Sequence, residues 1–132
     1  MNALAEFLRA RYAERRAIAE AASPWPWKIN PDDPEEVLAS DGILVADVFA
    51  LSSNQTRNTA TFIATNDPAD VLADLDAKLA IVGRHVACGT GNGYCDDGGH
   101  GWDDLEGGGC ADLADLARPF AGHPDYQESW AL

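Results

Sequence analysis

The stretch CGTGNGYCDDGGHGWDDLEGGGC, residues 88–110, restricts every fold open to this chain. It holds nine of the twelve glycines and all three cysteines. Backbone this rich in glycine is costly in entropy to order. It also has almost nothing to bury except Tyr94, Trp102 and Leu105. A core must therefore come from the chain before and after it. The length of 132 residues suits one domain spanning 1–132, with 88–109 as a Gly-rich loop. A domain of this size buries roughly two-thirds of its unfolded surface and needs no staple.

The flanking segments carry helical patterns. Leu4, Phe7, Leu8, Tyr12, Arg15, Ile18 and Ala22 fall at spacings of three and four, which predicts a helix over 3–21 that Ser23 and Pro24 stop. Four of the nine basic residues lie here, and the expectation is a solvated face that pairs with acidic neighbours. A short helix is expected over Arg57–Ala64, ending near Asn66. Asp67-Pro68-Ala69-Asp70 opens the clearest one, because Asp is a good N-cap, Pro suits the first helical position and Asp70 faces the dipole favourably. Val71, Leu72, Leu75, Leu79 and Val82 give its apolar stripe over 68–84. A last helix covers 110–118, with Leu113, Leu116 and Phe120 inward, and Pro119 ends or kinks it. Leu4, Leu8, Leu72, Leu75, Leu79, Leu113 and Leu116 are the expected core.

Between the first two helices the pattern changes. Glu36-Val37-Leu38 and Ile43–Val48 flank Ser40-Asp41-Gly42, and Asp-Gly is a strong hairpin signal. Trp27-Lys28-Ile29 adds a short third run, and Asn30–Pro34 reads as a turn. Trp25 and Trp27 are expected to cover the open side of this sheet. The fold class is thus α+β: a helix-rich single domain with one small antiparallel hairpin or three-stranded sheet.

The net charge of −13 argues against direct binding to nucleic acid or to an anionic membrane, since both are polyanions. It suits a basic protein partner. The N-terminus has no apolar h-region, and no run approaches the length of a membrane span. An odd number of cysteines does not fit a secreted disulfide framework. The expected location is cytoplasmic.

The segments EFLRARYAERRAIAEAA, PWKI, FIATNDPADVLADLDAKLAIVGRH and LARPFAGHPDYQESW, in this order and spacing, resemble an uncharacterised actinobacterial and actinophage family, domain of unknown function 6221. The resemblance implies no activity. It implies a region between His85 and Cys110 that varies in length and often carries C-x-x-C-G. Here Cys95 fills the first place of such a pair, Gly98 stands at the second, and His100 follows two residues on.

Five soft ligands lie within this region: His85, Cys88, Cys95, His100 and Cys110. Zinc takes four tetrahedral ligands from thiolates and imidazoles. His85 and Cys88 are three apart at a helix end and can face one point. Cys110 opens the next helix, where amides and dipole favour a thiolate. Cys88, Cys95 and Cys110 with His85 or His100 make the expected zinc set. Glycines suit chain wrapped around an ion. A plain mobile loop with its thiols unbound is the competing reading.

Two other readings use the acids. GGHGWDDLE matches the nonapeptide of calcium-binding β-rolls, and Asp96, Asp97, Asp103, Asp104 and Glu106 are hard ligands suited to calcium. Asp67, Asp70, Asp74 and Asp76 on one helix would fit a nucleic-acid mimic. No H-E-x-x-H, nucleophile elbow or phosphate loop is present. The expected role is a small acidic accessory or protein-interaction module with a structural zinc-binding loop. A small zinc-dependent hydrolase is the alternative.

Overall fold

The computed structural model describes residues 3–85 and 110–131. Helix α1 is Ala3–Ala21; strands β1, β2 and β3 are Lys28–Asn30, Asp33–Leu38 and Leu44–Asp47; helices α2, α3 and α4 are Ser53–Thr65, Pro68–Arg84 and Ala111–Ala117. Two single-turn 3-10 helices follow, at Arg118–Phe120 and Glu128–Trp130. The fold is α+β and helix-rich, with one antiparallel sheet ordered β1-β2-β3. The chain divides into two compact units, Met1–Arg15 with Leu75–Leu132, and Arg16–Asp74. Among the described residues no helix is long and apolar enough to cross a membrane.

The unit Arg16–Asp74 is built on the predicted hairpin. Gly42 takes φ +81°, which glycine adopts without strain. The Asp41 carboxylate accepts from the Ile43 amide at 3.0 Å, and Ala39 N–H donates to the Ile43 carbonyl at 2.9 Å. Helix α2 packs on β1 and β2, and Val37, Val48 and Ala60 are buried at that contact. Trp27 packs against this same cluster. It therefore lies on the covered face of the sheet, not on the open one. Strand β2 begins at Asp33, earlier than expected, and Pro34 is accommodated because pairing with β3 starts only beyond it.

The unit that ends the chain is built from helices. Leu4, Leu8, Leu75, Val82 and Leu113 are buried in it, while Leu79 and Leu116 are half-buried. Phe7 is the hub of an aromatic cluster, its ring centroid 5.1 Å from Trp130, 6.0 Å from Tyr126 and 6.2 Å from Phe120. The solvated basic face expected on α1 is found only in part, since Arg11 is buried and Arg15 lies on an aromatic ring. Arg11 pairs with Glu14 at 2.7 Å, and the Arg15 guanidinium lies 4.4 Å from the Phe120 ring centroid.

Further expectations shift. Leu72 is half-buried and falls in the other unit. Ile18 is 72% exposed, and Ala19 is buried instead, because the inward stripe drifts along so long a helix. Helix α2 starts at Ser53 rather than Arg57, capped by the Ser52 hydroxyl, which accepts from the Gln55 amide at 3.2 Å.

Candidate metal centre

Helix α3 ends at Arg84, and the His85 amide donates to the Val82 carbonyl at 3.1 Å in its last turn. That places the imidazole just past a helix end, on backbone already fixed by the α3 core. Cys110 is the N-cap of α4, and its carbonyl accepts from Ala114 N–H at 3.0 Å. Both side chains are buried, and Cys110 has 0% exposure.

The two meet. Cys110 Sγ lies 3.3 Å from His85 Nδ1. Asp112 Oδ2 lies 3.7 Å from the same nitrogen. Donor atoms of His85, Cys110 and Asp112 all fall within 4.8 Å of one another, so the three form a group that could hold a metal ion. The sulfur makes no cap hydrogen bond to the amides of α4. It lies against the histidine.

The donor set fits a borderline-soft cation. Zinc with sulfur at about 2.3 Å and nitrogen at about 2.0 Å, at a tetrahedral angle, separates those two donors by about 3.6 Å. The observed 3.3 Å is within a few tenths of that. A nitrogen and a carboxylate oxygen on the same ion stand about 3.4 Å apart, against the observed 3.7 Å. Both separations from the histidine nitrogen thus suit one shared ion, and the whole donor group lies within 4.8 Å.

Asp112 was not among the expected ligands. Its signal was present, since it lies two residues beyond Cys110 in the first turn of α4. Attention to thiols and imidazoles hides it, because an acid at a helix start is ordinary dipole chemistry. Asp112 is exposed and lines a shallow cleft with Ile81, Arg84, His85, Asp115 and Leu116. Arg118 and Asp115 form an ion pair beside it.

Of the five expected soft ligands, the structure brings His85 and Cys110 together. Cys88, Cys95 and His100 lie outside the described residues, as do Asp96, Asp97, Asp103, Asp104 and Glu106 of the calcium reading. His123, the third histidine, stands apart from this group and is engaged in its own hydrogen bonds. Its Nδ1 accepts from the Asp125 amide at 3.1 Å and meets Arg11 Nη1 at 2.9 Å. Asp67 is buried and does not belong to a solvent-facing acidic stripe. One of its oxygens accepts from the Asp70 amide at 2.9 Å and the other from the Trp27 amide at 3.0 Å.

No curated protein and no solved structure matches the chain. The model of a family of unknown function, DUF6221, matches residues 1–132. The order of elements that carried the resemblance is the order found in the fold, and the chain belongs to that family.

Proposed function

We propose that the protein is a small accessory or interaction module whose Gly-rich region is organised by a zinc ion held at His85 and Cys110. The observation that carries this reading is the 3.3 Å approach of Cys110 Sγ to His85 Nδ1, with the Asp112 carboxylate alongside. These side chains start and end the stretch that the sequence cannot stabilise by burial. A structural zinc is worth on the order of 10 kcal/mol in small sites, enough to offset the ordering of such a stretch. Zinc takes four ligands, and Cys88, Cys95 and His100 are the sequence's candidates for the remaining positions. A structural role suits a sulfur ligand with no exposed surface better than an open catalytic position does.

Cobalt titration tests the site. Wild-type protein loaded with cobalt should show thiolate-to-metal charge transfer and the strong visible absorption of a tetrahedral ion. Cys110→Ser should lose most of the charge transfer, and His85→Ala should change the visible bands. An unchanged spectrum in both variants would refute the assignment. Chelator-sensitive turnover of ester, phosphate or peptide substrates by zinc-loaded protein would establish the hydrolase instead.

A further inference from the structure

The second unit presents a sheet face that nothing within that unit explains. Val37 packs at the α2 contact, so Glu36 before it points to the opposite face. Beyond Val37 the register with β3 shifts by one residue, which leaves both Val45 and Ala46 on the covered side and Leu38, with its β1 partner Lys28, on the other. On that face Glu36 stands directly across from Asp47, and Leu38 across from Leu44. Two carboxylates directly opposed on neighbouring strands destabilise a sheet. The Glu36 carboxylate accepts from Asn30 Nδ2 at 2.9 Å, but no cation pairs with either acid among the described residues.

Apolar surface lies beside them. Leu44 is 48% exposed. The Val48 amide donates to the Glu35 carbonyl at 3.0 Å, so the extended run continues past Asp47. Val48 is buried, and Phe49 next to it, just past the end of β3, is 85% exposed. Strand β3 is also an outer strand of the sheet, and among the described residues no further strand pairs with its second edge.

We infer that this face binds a basic, extended peptide segment of a partner protein, in which lysine or arginine alternates with apolar side chains. A cation placed between Glu36 and Asp47 removes their repulsion, and its apolar neighbours cover Leu44 and Phe49. Strand alternation delivers both kinds of contact from one segment, and the edge of β3 supplies main-chain hydrogen bonds. A second copy of this chain is the wrong occupant. It would bring the same acids to the face, on a chain of net charge −13. The inference rests on the interaction-module half of the reading above and is independent of the metal.

The test uses the full-length chain and a short synthetic peptide alternating lysine with leucine, followed by fluorescence anisotropy. Zinc content is measured on the same samples, so loss of metal and loss of peptide binding are read separately. The Glu36→Gln, Asp47→Asn double variant should bind about tenfold more weakly, as two surface charge contacts predict. The charge-matched Asp70→Asn, Glu128→Gln variant should bind like the wild type. Amide shifts on peptide addition should map to β3 and Phe49, which reports the site without any variant. Absent binding, or equal weakening in the two double variants, would overturn the inference. So would sedimentation that shows a dimer abolished by Phe49→Ser.

Discussion

The Asp67 carboxylate ties two elements of the second unit together. One carboxylate oxygen caps α3 through the Asp70 amide, and the other takes the Trp27 amide next to β1. It is nearly fully buried, so both amides lose their partners if it is truncated. Asp67→Ala should therefore cost about 2–4 kcal/mol, a lost cap plus a buried amide left unpaired. Urea unfolding would show this, and a loss below about half a kcal/mol would mean the cap is dispensable. The cap was legible from Asn66-Asp67-Pro68, because capping is local chemistry. The bond to Trp27 was not, since no sequence pattern links an oxygen to an amide forty residues away. The same division holds at the metal centre. His85 and Cys110 were readable as soft ligands, but their pairing depends on where α3 and α4 end in space.

Elements were legible where local signals agree. Helix α3 runs over the expected residues because cap, first-turn proline and apolar stripe all coincide. Helix α2 began earlier than read, because Ser53-Asn54-Gln55-Thr56 has poor intrinsic propensity. Its threonines are accommodated individually. The hydroxyls of Thr56, Thr59, Thr61 and Thr65 each donate to the carbonyl four residues back. Packing of Ala60 on the sheet then decides the matter in favour of helix. For α3 the energetic weight lies in Leu75, which is fully buried. Leu75→Ala should cost about 2–5 kcal/mol in urea unfolding, the range for a large-to-small change in a core. A cost near zero would show that the stripe faces elsewhere.

The chain divides into two compact units, and one of them contains a stretch whose composition cannot support a core. Its net charge of −13 is the basis on which a basic partner segment is proposed, since opposite charges attract. That property was legible from composition alone. Which face such a segment would meet was not, because Glu36 and Asp47 become neighbours only through the register of β2 against β3. The metal assignment links helices α3 and α4 to the Gly-rich stretch, since His85 precedes it and Cys110 closes it. Elemental analysis of protein purified without chelator bears on it most directly, carried out side by side on wild type and Cys110→Ser. The wild type should carry about one zinc per chain and the variant almost none. Wild-type protein without zinc, or a variant that keeps its full complement, would contradict a centre built on His85 and Cys110.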